Sequence, residues 1–171
     1  FQLRIWGRIY TERLGEPFLY NLVSFFVFLF GNIVTKIKYD LVPRQPYAFG
    51  LGEAFRVASE QSSSLGIERI VIVEFGVASG AGLLNLVKIS EKLSRYYNLQ
   101  VLVVGFDSGE GMPHPVDYRD HPEKYLDGDF PPHDRKLLDE TLPSNAVVIY
   151  GPIAECVGKL DGMLTDGDFI S

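Results

Sequence analysis

Residues 69–82, RIVIVEFGVASGAG, decide the fold of this 171-residue chain. The first seven are mostly β-branched, which predicts a buried strand of a parallel sheet. A glycine-rich turn follows, and the amphipathic segment Leu83–Tyr97 then predicts a helix. Glycines in such a turn let the backbone bend sharply and approach a ligand closely, because no Cβ is in the way. The pattern predicts a strand–turn–helix unit of the nucleotide-binding type, although a plain tight turn would give the same residues.

The downstream sequence continues the alternation of strands and helices. Strands are predicted at Gln100–Phe106 and Asn145–Tyr150, and a fourth begins at Phe169–Ser171. Helices are predicted between them at His133–Thr141 and Ile153–Leu160. This alternation predicts an α/β fold with a Rossmann-like parallel sheet. We expect the sheet to be incomplete and the chain to be a piece of a longer protein, because the sequence stops as a strand begins.

The N-terminal third differs from the rest in charge. Residues 1–60 carry seven Lys or Arg and five Asp or Glu, whereas the whole chain has a net charge of −6. With the Ser-rich stretch at residues 60–66, this asymmetry predicts a boundary between a helical N-terminal extension, 1–61, and a partial Rossmann-like domain, 62–171. Within the extension we predict a helix at Leu51–Gln61, preceded by a proline-containing loop at Tyr39–Gly50.

Phe18–Val34 is the most apolar segment and is predicted to be helical. A transmembrane helix needs roughly 20 apolar residues, and Asn21, Ser24 and Asn32 interrupt this shorter run. We therefore favour a helix that is buried or packed against a partner, and a cytoplasmic protein. Membrane association and a homo-oligomer contact stay open as alternatives.

The composition excludes several classes of protein. A hydrophobic content of 46% and a charged content of 22% exclude a disordered chain. The single cysteine, Cys156, excludes an intramolecular disulfide framework and is interpreted as a packing residue. A sequence pI near 5.0 argues against a nucleic-acid partner bound through a broad basic surface.

The loop at residues 113–133 holds all three histidines among several aspartates and prolines. A metal site and a lid over a substrate or cofactor are both conceivable. The irregular spacing favours a solvated loop, so no metal ligand is predicted in this chain.

Two acidic residues end the first two predicted strands. Asp107 follows the second strand, where an acid can accept hydrogen bonds from ribose hydroxyls or simply cap a loop. Glu74 lies two residues before Gly76, the first glycine of the turn. A carboxylate there suits a ligand with a cationic amino-acid end and a ribose, which describes S-adenosylmethionine. The glycine spacing also fits short-chain dehydrogenases, but no tyrosine is followed four residues later by the lysine of their catalytic pair.

Together these residues resemble the class I S-adenosylmethionine-dependent methyltransferases. Val73–Gly80 is similar to their first motif, an acid-x-Gly-x-x-x-Gly sequence. Val104–Pro113 resembles the second-strand signature of the bacterial-type macrocin O-methyltransferase-like branch, and Gly128–Phe130 and Ile149–Glu155 also fit this branch. The resemblance covers about residues 69–171. Gly109, where the branch has an aromatic residue, is one departure from the pattern.

The resemblance implies an enzyme that transfers a methyl group from S-adenosylmethionine to a hydroxyl of a small molecule. Asp107 would bind the ribose hydroxyls, Ser108 would lie beside the adenosine, and Glu74 would lie near the methionine end. Pro152, where the branch often has Asp, leaves the adenine side without that contact. The full set implied to bind the cofactor is Glu74, Gly76, Ala78, Gly80, Asp107 and Ser108.

The resemblance also implies that the catalytic acid cluster lies beyond Ser171, so this piece alone is expected to be inactive. Mg²⁺ would then be a candidate cofactor of the longer protein. Two alternatives stay open: a nucleotide-dependent oxidoreductase, and a membrane-associated nucleotide-binding module without catalytic activity.

Overall fold

The sheet is the centre of the fold. In a computed structural model, which describes residues 15–131 and 134–171, four parallel strands lie in the order β3-β2-β1-β4. The strands are β1 (Arg69–Phe75), β2 (Gln100–Asp107), β3 (Ala146–Tyr150) and β4 (Asp168–Ile170). The helices are α1 (Phe18–Phe30), α2 (Ile33–Lys38), α3 (Gln45–Leu65), α4 (Ala81–Tyr97), α5 (Arg135–Thr141) and α6 (Ile153–Cys156). Short 3₁₀ turns cover Tyr118–Asp120 and Val157–Met163.

This strand order confirms the predicted α/β, Rossmann-like fold with a helical N-terminal part. In doubly wound sheets the order reverses beside the first strand, and ligands bind outside the carboxyl ends of the strands at that point. β1 pairs with β2 along its whole length, from Arg69 opposite Gln100 to Phe75 opposite Phe106. The turns after β1 and β2 therefore leave the sheet side by side.

The two faces of the sheet are covered differently. Alternate residues of a strand point to opposite faces, and Ile70 and Ile72 of β1 pack with the helices α3 and α4. Val71 packs on the other face with Phe106 and Cys156. Cys156 is buried, and its Sγ donates a hydrogen bond to the carbonyl of Tyr150 at 3.4 Å, in agreement with a packing role.

The predicted elements of the sheet agree with the structure to within a few residues. β1 has the predicted bounds, and α4 begins at Ala81, two residues earlier than expected. The predicted helix at Ile153–Leu160 is wrong in part, because only α6 is α-helical and the chain continues as a 3₁₀ turn. The predicted start of α5, His133, lies outside the described residues.

The Ser-rich stretch forms the end of a helix and is not a linker. α3 runs from Gln45 to Leu65 and so includes part of the predicted loop; Pro46 lies in its first turn, where no backbone N–H is needed. Serine hydroxyls near its end bond to carbonyls of the preceding turn, as in Ser62 to Ser59 at 2.8 Å. Gly66 ends the helix at a φ of 66°. The division into an extension and a domain stays a prediction, but α3 packs into the same core as the sheet.

The apolar segment at residues 18–34 is not one buried helix. It breaks after Phe30, because the Asn32 side chain accepts the backbone N–H of Thr35 at 2.9 Å and starts α2. Ser24 is the only buried residue of α1, so the first form of the prediction, a helix buried within the chain, is not what the described residues show. The second form, a helix packed against a partner, stays a prediction. Among the described residues, no helix combines the length and apolarity that crossing a bilayer requires.

An ion pair attaches β4 to β1. The Arg69 guanidinium donates to both carboxylate oxygens of Asp168, from Nε at 2.7 Å and from Nη2 at 2.6 Å. The Asp168 side chain is only 2% exposed. The hydrogen bonds from Arg69 hold the pKa of Asp168 below its ordinary value, although burial acts in the opposite direction.

Replacing Asp168 by asparagine is expected to lower the free energy of unfolding at pH 7 by about 1.5–3 kcal/mol, the usual contribution of hydrogen bonds to a charged group. A lowered pKa means that this stabilisation is present above the ordinary pKa of aspartate and is lost as the pH falls through the folded-state pKa. Urea unfolding of both proteins at pH 7 and near pH 2.5 should show a difference that shrinks in acid. Asp166→Asn, at an exposed residue nearby, is the control; an equal loss in both variants would contradict the role of the pair.

Candidate functional site

A cavity of about 880 Å³ lies at the carboxyl ends of β1, β2 and β3. Three turns that leave the strands there contribute to its wall, as does part of the polar loop. Its lining comprises Gly76 and Ala78 after β1; Phe106, Asp107, Ser108, Glu110, Gly111, Met112, Pro113 and His114 around the end of β2; Asp127, Asp129 and Phe130 from the loop; and Gly151, Pro152, Ile153 and Ala154 after β3.

The turn after β1 has an unusual backbone conformation. Gly76, Ala78 and Gly80 have φ angles of 83°, 46° and 79°. Glycine adopts such angles freely, whereas alanine at positive φ costs roughly 1–2 kcal/mol. Ala78 therefore needs neighbouring contacts that keep it in this conformation.

Asp107 provides those contacts. Its Oδ2 accepts hydrogen bonds from the backbone N–H groups of Val77 and Ala78, both at 2.8 Å. Its Oδ1 accepts the N–H of Gly109 at 2.7 Å, and the residue is 8% exposed. Because a carboxylate can accept about four hydrogen bonds, one acceptor position is left for a ligand at the cavity. Asp107 thus caps the turn, and its binding of ribose hydroxyls stays a prediction.

The loop after β2 is also organised by its own side chains. The Ser108 hydroxyl donates to the carbonyl of Gly111 at 2.8 Å and accepts the N–H of Glu110 at 3.2 Å. Arg135 of α5 packs against this loop and donates to the carbonyl of Gly109. A Cβ at Gly109 would lie 2.5 Å from the guanidinium carbon of Arg135, so Arg135 occupies the space that a side chain there would need.

Arg135 does not line the cavity, but it supports the loop after β2 that does, and the sequence did not indicate this role. Its guanidinium also lies 5.3 Å from the ring centre of Tyr150, so it connects the loop after β2 with the end of β3. It is distant from both in sequence, and an arginine in a short polar helix carries no motif. The one sequence feature that points to this contact is Gly109, which stands where the methyltransferase branch has an aromatic residue and so leaves space for the Arg135 guanidinium.

Glu74 lies outside the cavity. Its side chain lies on the face of the sheet that α3 and α4 cover, where the Tyr47 hydroxyl donates to Oε1 at 3.4 Å. A Cβ at Gly82 of α4 would lie only 2.5 Å from Oε1, and Oε2 is buried with no hydrogen-bond partner among the described residues. Burial raises the pKa of Glu74, and the Tyr47 hydrogen bond and the Arg44 charge offset this only in part.

The structure thus brings four of the six predicted binding residues to one cavity: Gly76, Ala78, Asp107 and Ser108. Glu74 and Gly80 do not line it. A Cβ at Gly80 would lie 2.5 Å from the Leu138 side chain, so this glycine allows α5 to pack against the turn. Direct contacts of Glu74 and Gly80 with a cofactor stay predictions.

Replacing Glu74 by glutamine is expected to raise the melting temperature by a few degrees near pH 8 and to have little effect near pH 4. A raised pKa in the folded state means that the native protein binds the proton more tightly than the unfolded chain does. The carboxyl therefore destabilises the fold increasingly as the pH rises from the ordinary pKa of glutamate to the folded-state pKa of Glu74. Glutamine removes the charge and keeps the shape. Glu110→Gln, at an exposed residue, is the control, and a Glu74→Gln protein that is less stable at both pH values would contradict this account.

Two histidines of the polar loop, His114 and His121, lie in exposed pairs with carboxylates. His114 lies at the cavity with its Nδ1 3.7 Å from Asp127 Oδ2, and His121 Nδ1 lies 3.0 Å from Glu123 Oε1. Among residues 15–131 and 134–171, no three His, Cys, Asp or Glu side chains are grouped to hold a metal ion. His133 lies outside these ranges.

No family model, no curated protein and no solved structure matches this chain. The assignment of a ligand to the cavity therefore depends on the chemistry of its own residues. The main constraints are the carboxylate of Asp107, the turn that it holds, and the apolar side chains of Met112, Phe130 and Ile153.

Proposed function

We propose that this chain supplies the S-adenosylmethionine-binding part of an enzyme that methylates a hydroxyl of a small molecule. The observation that carries the proposal is the Asp107 carboxylate, which holds the glycine-rich turn at the cavity. A ribose hydroxyl suits the acceptor position that Asp107 retains. The resemblance of Val73–Gly80 and Val104–Pro113 to methyltransferase motifs points to the same cofactor.

The same carboxylate argues against a dinucleotide. In dinucleotide-binding folds, the N–H groups at the glycine-rich turn and the helix N-terminus receive a pyrophosphate. Here the N–H groups of Val77 and Ala78 donate to Asp107 instead. A diphosphate that bound to these N–H groups would lie beside the Asp107 carboxylate, which carries a charge of the same sign. S-adenosylmethionine has no phosphate and carries a sulfonium cation, so it avoids this repulsion.

The cavity residues fit the remaining parts of the cofactor. Met112, Phe130 and Ile153 give an apolar wall suited to the adenine ring, with Ser108 beside Asp107. The backbone at Gly76 and Ala78 leaves room for the methionine end, because neither residue has a side chain larger than a methyl group. The volume of about 880 Å³ lies in the range of small-molecule sites, about 300–1,000 Å³.

The cofactor supplies an electrophilic methyl group when it is bound. The contribution of this chain is to bind and orient it, which is a large part of catalysis by proximity. A hydroxyl acceptor also needs a general base to take up its proton, or a metal ion that would make the loss of this proton to water or a base easier. We propose that the longer protein supplies that group, with Mg²⁺ as a candidate, and that it works in the cytoplasm.

Calorimetric titration of the full chain tests the proposal. We expect saturable binding of S-adenosylmethionine and of S-adenosylhomocysteine, which shares its ribose and adenine, with no heat of binding for NADPH. Tight binding of NADPH without a response to the methyl donor would favour the oxidoreductase alternative and reject the proposal. Absence of binding by all three in a folded chain would reject it as well.

A further inference from the structure

The helix α1 exposes apolar side chains all round its circumference. Only Ser24 is buried, whereas Phe18 is 78% and Phe30 is 81% exposed. The other large exposed side chains of α1 are Leu19, Tyr20, Leu22, Val23, Phe25, Phe26, Phe28 and Leu29. A helix that is apolar on every side belongs in a protein core or in lipid, and so large an exposed patch marks an interaction surface.

A groove with a cationic rim adjoins this helix. It has a volume of about 720 Å³ and lies between α1, α2 and α4. Its floor is apolar, with Ile33, Val42 and Ile89 among its residues. Phe28 of α1 forms part of its wall, and the Lys36 ammonium lies 5.8 Å from the centre of the Phe28 ring. The apolar helix and the groove are therefore one continuous surface.

Four cationic side chains surround the groove: Lys36, Lys88, Lys92 and Arg95. None of them forms an ion pair with a carboxylate in the described part of the chain. Glu91, the single acidic residue of α4, is not among the lining residues. This concentration of positive charge contrasts with the net charge of −6 of the whole chain, and it is complementary to a surface of phosphate groups.

We propose that α1 and this groove dock on an anionic lipid bilayer, with α1 lying in the plane of the membrane interface. The 13 residues of α1 measure about 20 Å at 1.5 Å per residue, well short of the roughly 30 Å of a bilayer core. Binding of a helix to the membrane interface grows with the apolar area that it buries and with the electrostatic attraction of nearby basic residues to anionic lipids. The four cations contact the lipid phosphates, and the net negative charge of the rest of the chain keeps its other faces away from the bilayer.

A second copy of the chain fits this surface less well. A symmetric dimer brings the same patch of both copies together. Lys36, Lys88, Lys92 and Arg95 of one copy would then face the same cations of the other, and juxtaposed like charges are costly at an interface.

Vesicle sedimentation with the full chain tests this proposal. We expect strong binding to vesicles of phosphatidylcholine and phosphatidylglycerol in a 70:30 ratio, and weak binding to phosphatidylcholine alone. Each cation near an anionic surface contributes about fivefold in partitioning, or about 1 kcal/mol. Neutralising Lys36, Lys88, Lys92 and Arg95 to glutamine should thus reduce binding by about 600-fold. Phe26→Gln combined with Phe30→Gln should reduce it as well.

The control replaces three exposed lysines away from the groove by glutamine: Lys124, Lys136 and Lys159. These changes should leave vesicle binding nearly unchanged, and circular dichroism should verify that every variant is folded. Binding that is equal for neutral and anionic vesicles, or insensitive to the four neutralisations, would overturn the proposal. So would sedimentation equilibrium showing a dimer that depends on Phe26 and Phe30, together with no binding to vesicles.

Discussion

Replacing Asp107 by alanine is expected to weaken S-adenosylmethionine binding by about 10- to 150-fold, the equivalent of the 1.5–3 kcal/mol of a hydrogen bond to a charged group. Two effects contribute. The variant loses the acceptor for the ribose hydroxyl, and it frees the backbone N–H groups of Val77 and Ala78 that shape the turn. Titration calorimetry on the variant and the parent chain measures the loss.

Two further variants separate binding from folding. Asp107→Asn keeps one carbonyl oxygen for Val77 and Ala78, but its amide NH₂ would face the N–H of Gly109, so an intermediate loss is expected. Asp117→Ala is the matched control, because Asp117 also accepts a backbone N–H, from Arg119 at 2.9 Å, but does not line the cavity. Unchanged affinity in a folded Asp107→Ala protein would contradict the proposed role of this carboxylate.

Replacing Phe55 by alanine is expected to lower the free energy of unfolding by about 3–5 kcal/mol, as is usual when a large aromatic side chain is removed from a core. Phe55 of α3 is fully buried, and its ring stacks on Tyr97 of α4 with centres 6.2 Å apart. For a chain of this size the melting temperature should fall by roughly 2–4 °C per kcal/mol. Thermal unfolding followed by circular dichroism measures the shift.

The control is Phe49→Ala on the same helix, because Phe49 is 58% exposed. It should change the stability very little. The prediction also tests whether α3 and the sheet unfold together. A separate early transition for α3 in the parent chain, or a small effect of Phe55→Ala, would show that the helical N-terminal part is energetically independent of the sheet.

The sheet could be predicted from the sequence because its signals are local. The run of Ile and Val in β1, the glycine turn and the acid at Asp107 each define an element within a few residues. The Ser-rich end of α3 could not be recognised, since serine favours loops. In the structure this end is mostly exposed, and its serine hydroxyls donate to carbonyls of the preceding turn. The hydrophobicity of α1 predicts a helix that is buried or packed against a partner, because hydrophobicity does not distinguish a core from another apolar environment.

The residues of the candidate site could be predicted only where a sequence motif lies directly after the end of a strand. Gly76, Ala78, Asp107 and Ser108 follow the ends of two paired strands, so their common location follows from the strand order. Glu74 lies on the strand itself, where alternation of side chains directs it to the helical face. Arg135 and Leu138 reach the turns from α5 through contacts that no spacing in the sequence reveals.

The bonds from Val77 and Ala78 to Asp107 make these two amides natural reporters of the site in the absence of any ligand. A backbone proton held by a buried carboxylate exchanges with solvent only when the structure opens locally. Deuterium uptake at Val77 and Ala78 should therefore be slow in the folded chain and faster in the Asp107→Ala variant. A turn already fixed in this manner also loses little conformational freedom when it receives a ligand, so association should be fast and require no slow rearrangement.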